Sequence, residues 1–173
     1  MTLDWDLQDA VWEEFELLAD ADDVPVGENR VETELLENYH GRGEARDFAF
    51  ESDEPASMAG GADRGPRPLE YFLAGFAFCQ QVLLAKHALA TGVELDDVNV
   101  EVEGDVDPRG VLGVGDVEPG FDGALEQATR IESPATPREI RGLVETAEAH
   151  CPAHASLAVP VDRDLYLNGE QIA

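Results

Sequence analysis

The sequence predicts a mixed helix-and-strand domain, and three observations carry that expectation. Apolar residues recur at helical spacing over residues 3–19 and fill residues 68–91 almost completely. Between Val98 and Glu103 the valines alternate with Asn99, Glu101 and Glu103, as in a strand with one face buried. The third is length. At 173 residues, one chain supports a single core that removes about 70% of its unfolded surface from water. Hydrophobic residues make up 43% of the chain, beside 16 Gly and 10 Pro, which excludes a disordered tail, a collagen repeat or a coiled coil.

Taken in order, Leu7, Val11, Trp12, Phe15, Leu18 and Ala19 share one stripe while Asp and Glu fill the other face, so residues 3–19 predict an amphipathic helix. Pro25 and Gly27 break the acidic loop behind it. Residues 1–29 thus form an expected appendage to a domain over residues 30–173. Val31 and Leu35 alternate with Glu32 and Glu34, Phe48 and Phe50 mark a second extended run, and His40-Gly41-Arg42-Gly43 is expected to join the two as a hairpin. Residues 53–67 carry Pro55, Gly60-Gly61 and Pro66 and predict a loop. Pro68 suits a first helical position and Gly92 a stop, so residues 68–91 predict one long helix. It is apolar nearly all round but contains Gln80, Gln81, Lys86 and His87, which favours a core helix over a membrane span. A turn follows at Asp107-Pro108-Arg109-Gly110, then a strand from Leu125 to Ile131, then a helix opened by the Thr136-Pro137-Arg138-Glu139 capping box. Short strands are expected around Val159–Val161 and Leu165–Leu167, with a turn at Asn168-Gly169.

Charge narrows the partners. Lys and Arg number 11 against 38 Asp and Glu, a formal charge of −27. Nucleic acid and anionic membranes are excluded as expected partners, because binding a polyanion needs cationic contacts that this chain does not cluster. Only Lys86 is a lysine, and the acidic residues run the whole length of the chain. That pattern suits high salt, since at about 1 M the Debye length falls to about 3 Å and screens self-repulsion. The amino terminus has no basic start like that of a signal peptide, so a cytoplasmic location is expected.

The chemistry rests on two cysteines. Cys79 falls about three turns inside the long helix, too deep for the helix dipole to depress its pKa, so a reactive thiolate there needs a neighbouring cation. A small packed core residue is the plain alternative. Cys151 ends a helix, precedes Pro152 and is flanked by His150 and His154, a setting that suits a resolving thiol. Cys151-x-x-His154 also has half the spacing of a zinc site, but no second paired motif completes one, so neither metal nor other cofactor is expected.

The proline-led stretch Pro68-Leu69-Glu70-Tyr71-Phe72-Leu73-Ala74-Gly75-Phe76-Ala77-Phe78-Cys79, the run Gly104-Asp105-Val106-Asp107-Pro108-Arg109-Gly110, and Ala149-His150-Cys151-Pro152-Ala153-His154 resemble the OsmC/Ohr family. The resemblance spans residues 30–167. It implies an α+β fold, with curved antiparallel sheets around long central helices in an intertwined homodimer, and a site at each subunit boundary. It also implies a thiol peroxidase acting on small organic hydroperoxides, with Cys79 as peroxidatic cysteine, Cys151 as resolving cysteine and a dithiol as reductant, and so a part in oxidative-stress defence. In the family an arginine from the first hairpin holds the thiolate and a glutamate at the helix start orients it. Here Arg42 is the preferred arginine, followed by Arg46 and then Arg30, and the acid is Glu70. Family peroxidases place that acid ten residues before the first cysteine, whereas Glu70 stands nine before, a displacement of about 100° around a helix. The alternative is a non-peroxidase member that binds a small apolar ligand. A purely structural interaction domain is the third reading.

Overall fold

The computed structural model describes residues 3–157, together with the backbone of two short strands, Tyr166–Leu167 and Glu170–Gln171. After a 3-10 turn at Trp5–Leu7 come α1 (Gln8–Ala19), β1 (Glu32–Glu37), β2 (His40–Ala45), β3 (Phe48–Ser52), α2 (Pro68–Thr91), β4 (Asp97–Glu103), α3 (Pro108–Leu112), β5 (Glu126–Glu132), α4 (Pro137–Ala149), α5 (Pro152–Ser156), β6 (Tyr166–Leu167) and β7 (Glu170–Gln171). Strands β1, β2 and β3 form an antiparallel meander, and β4 pairs antiparallel with β5 from Asp97–Glu132 to Glu103–Glu126.

The core lies between α2, the β4–β5 ribbon and α4. Leu84, Ala88, Leu95, Val100, Leu143 and Ala147 are buried together there, joined by Val98, Val102, Ile131, Ile140 and Val144. The two periodicities make this fit: valines two apart on β4 face inward, and Ile140, Leu143, Val144 and Ala147 line one stripe of α4. Leu3 reaches the same cluster, so the segment leading into α1 is anchored on α2. Lys86 Nζ lies 3.4 Å from Glu14 Oε1, and the Phe15 ring meets the His87 ring edge-on.

Helix α2 ends as its sequence predicts, with Gly92 in the left-handed conformation at φ 71°. Length and composition would let it cross a bilayer. Its buried stripe of Phe76, Gln80, Leu84 and Ala88 faces the rest of the fold, while Leu69, Phe72, Phe78 and Val82 stay exposed.

Three expectations change. His40-Gly41-Arg42-Gly43 is not the hairpin turn but lies within the middle strand β2; Asn38 (φ 52°) and Arg46 (φ 56°) take the turns on either side. Gly43 is needed in the strand because a Cβ there would run into the Phe50 ring across the ladder. Asp107-Pro108-Arg109-Gly110 opens the short helix α3, its Asp107 carboxylate accepting the Arg109 N–H, and a further short helix, α5, follows Pro152. The loop over residues 53–67 is built around a buried carboxylate: Asp53 is 1% exposed and accepts N–H bonds from Glu54, Ala62 and Arg64. The strand expected around Val159–Val161, Leu165 and the turn at Asn168-Gly169 lie outside the described residues; Tyr166–Leu167 is strand.

Candidate active site

Two elements bring the cysteines together. Cys79 projects from the middle of α2, at the boundary between its covered and open faces, and is partly exposed. Cys151 is 1% exposed, in the two-residue joint, His150-Cys151, between α4 and α5. Pro152 makes that joint abrupt. It sets φ for the first residue of α5 and has no N–H of its own, so the next free amides, of Ala153 and His154, are those that point back at the sulfurs. The His154 N–H donates to Cys151 Sγ at 3.4 Å, and the Ala153 N–H donates to the Cys79 sulfur. Cys151 is a near enough neighbour of Cys79 to act on its ionisation, and both thiols are free.

The electrostatics of the single chain favour the thiol over the thiolate. Burial pushes Cys79 up from its ordinary range, the Ala153 amide pulls it down, and Cys151 pushes it up again. The arginines expected to oppose this stand elsewhere. Arg42 Nη2 bonds Glu44 Oε1 at 2.6 Å on its own strand. Arg46 sits over the Phe48 ring, 5.1 Å from its centroid, and Arg30 pairs with Glu32. Glu70 is committed within its own helix start: Oε2 accepts the Arg67 N–H at 2.9 Å and Oε1 accepts Arg67 Nε at 3.0 Å, which holds the carboxyl below its usual range. Nine residues of helix at 1.5 Å each separate Glu70 from Cys79 by about 13 Å, so within one chain this pair does not reach the sulfur.

Arg67 is the residue that sequence reasoning missed. Its signal was its place immediately before a helix-opening proline, three residues from an acid. Aromatic rings surround the site: Phe76, one turn before Cys79 and 7% exposed, meets the His154 ring edge-on, and Phe72 packs near Phe121. Among the described residues no three His, Cys, Asp or Glu side chains are grouped to hold a metal ion. Gln80, beside Cys79, is 1% exposed and its Nε2 has no hydrogen-bond partner among the described residues.

A family model for OsmC-like protein matches residues 60–165, from the loop before α2 past both cysteines. The chain belongs to the OsmC-like family. Solved structures with the same fold include an OsmC-like protein from Mycoplasma pneumoniae, 22% identical over 77% of this chain and 89% of that chain, with a TM-score of 0.66. An organic hydroperoxide resistance protein OsmC from Legionella pneumophila is 20% identical over 78% of this chain and 92% of that one, with a TM-score of 0.59. Another organic hydroperoxide resistance protein, from Elizabethkingia anophelis, is 20% identical over 79% and 92%, with a TM-score of 0.58. At such identities the likeness is one of fold. No curated protein matches the sequence. The α+β expectation is met in this OsmC-like chain, where three small antiparallel sheets among the described residues accompany the long α2.

Proposed function

We propose that this OsmC-like protein is a two-cysteine thiol peroxidase that reduces small organic hydroperoxides, working as a cytoplasmic homodimer in oxidative-stress defence. The observation that carries the reading is the pair of neighbouring free thiols, Cys79 from α2 and Cys151 from the joint between α4 and α5. In the first step the Cys79 thiolate attacks the terminal peroxide oxygen. An S–O bond forms, the O–O bond breaks, and the alkoxide leaves to become an alcohol on taking a proton. The Cys79 sulfenic acid then condenses with the Cys151 thiol, forming the disulfide and releasing water. A dithiol reductant restores both thiols by two exchanges, itself becoming a disulfide.

Assembly supplies what one chain lacks. Leu69, Phe72, Phe78 and Val82 on α2, with Leu35, Leu36 and Phe48 on the meander, are all more than 40% exposed, an apolar extent that suits a partner surface. A second copy packed on it brings its own meander toward Cys79, with Arg42, or next Arg46, as the guanidinium that stabilises the thiolate and Glu70 as the acid that orients it. The same apolar lining favours an organic hydroperoxide over hydrogen peroxide. The helix and acidic loop up to residue 29 are an appendage covering the core or the partner subunit.

A second reading, an apolar-ligand-binding member without peroxidase activity, is favoured by two observations: Glu70 is already paired with Arg67, and burial favours Cys79 as a thiol. Turnover of an alkyl hydroperoxide with a dithiol in molar salt decides the matter. The wild-type chain is expected to consume peroxide and Cys79→Ser is not; equal rates remove the peroxidase reading.

A further inference from the structure

The alkoxide expelled in the first step is a strong base, and a site that cleaves alkyl hydroperoxides quickly needs a proton for it. His154 stands where that proton is required. Its backbone N–H is turned to Cys151 Sγ, and its imidazole lies against the edge of Phe76, 5.9 Å between ring centroids. Phe76 is three residues before Cys79 on α2, so the two side chains are neighbours on one face. The next residue back from His154, Ala153, donates its N–H to the Cys79 sulfur. The imidazole thus lies against Phe76, the α2 residue one turn before Cys79, with its own backbone next to the residue that meets the thiol.

A peroxide approaching in line places its attacked oxygen about 3 to 3.5 Å from sulfur and its leaving oxygen beyond that. A peroxide whose leaving oxygen points along α2 toward Phe76 presents that oxygen to the side on which the His154 imidazole lies. Other polar side chains of this part of α2 are unsuited: the Gln80 amide has no proton to give up, and the Tyr71 hydroxyl donates to the Glu51 carbonyl at 2.6 Å. His154 is exposed and borders an open cleft with Glu148 and Leu157, so it can regain a proton from solvent after each turnover.

We propose that His154 is the proton donor to the departing alkoxide, its imidazolium passing a proton to the leaving oxygen as the S–O bond forms and the O–O bond breaks. The assignment rests on the peroxidase reading above. It converts Cys151-x-x-His154 from a spacing suggestive of metal into one that joins the resolving thiol to a general acid.

Leaving-group dependence tests it. Loss of the Cys79 thiol is followed in single turnover with tert-butyl hydroperoxide, which expels an alkoxide, and with peracetic acid, which expels acetate and needs no proton. His154→Gln is expected to slow the first reaction about a hundredfold and leave the second within about twofold of wild type. His154→Asn, which also keeps the backbone bond to Cys151, should behave alike. Formation of the Cys79–Cys151 disulfide by a mild thiol oxidant reports that the variant site is intact. Unchanged rates with both peroxides, or an equal loss with both, overturn the assignment. If wild type consumes neither peroxide faster than Cys79→Ser, the peroxidase reading itself falls and the proton donor with it.

Discussion

Cys79 sits where α2 passes from its covered to its open side, so one flank of the sulfur meets Cys151 and the Ala153 amide while the other faces outward. Burial is the largest influence on this thiol and acts against ionisation, and one backbone N–H is a weak counterweight beside a guanidinium. On the homodimer reading proposed above, the balance depends on what the second copy contributes. Alkylation of Cys79 in the assembled protein, followed against pH, is expected to titrate well below the ordinary thiol value of about 8.5. A midpoint at or above it would favour the ligand-binding reading. Sequence alone made both cysteines legible, because a thiol in a long helix and another before a proline are features of spacing. Glu70 was not legible to the same degree. Its distance from Cys79 could be counted, but its capture by Arg67 depends on the rotamers of two neighbouring side chains at a helix start.

The elements follow local chemistry where one rule decides, and depart from it where two compete. Helix α2 begins at Pro68 and stops at Gly92 because proline at the first position and a left-handed glycine at the end agree with its apolar run. In His40-Gly41-Arg42-Gly43, glycine signals a turn, yet the stretch forms β2, since the Gly43 position must admit the Phe50 ring and Asn38 and Arg46 accept positive φ instead. The buried Asp53 carboxylate that ties the loop before α2 has no periodic signal at all; it emerges only once Ala62 and Arg64 fold back on it. Helix α1 is attached at a titratable point. Burial first, then the neighbouring His150, holds His87 below its usual 6.5. The imidazolium is thus disfavoured in the folded chain, and the stability that His87 contributes as a neutral ring is present above about 6.5 and lost as pH falls through the lower folded value. Melting measured in molar salt between about pH 7.5 and 5.5 should show this decline. His87→Leu should flatten it, and an unchanged slope in that variant would place the titration elsewhere.

At the scale of the whole molecule, a formal charge of −27 and an open apolar surface on α2 and the meander pull in opposite directions. Repulsion between copies weakens as salt screens it, whereas apolar contact strengthens, so on the homodimer reading salt is expected to favour assembly. Much of the architecture could be read from periodicity, because the helix and strand stripes of a single chain point to a single core. The β1–β2–β3 sheet could not be placed that way, for Leu35, Leu36 and Phe48 face outward in one chain and β1 is exposed along its length. The central claim is that Cys79 and Cys151 act as one redox unit, and peptide mapping after one equivalent of alkyl hydroperoxide tests it most directly. The account predicts a Cys79–Cys151 disulfide in the wild-type protein and a Cys79 sulfenic acid that persists in Cys151→Ser. Both thiols still free after the peroxide is added, or a disulfide only between copies, would contradict it.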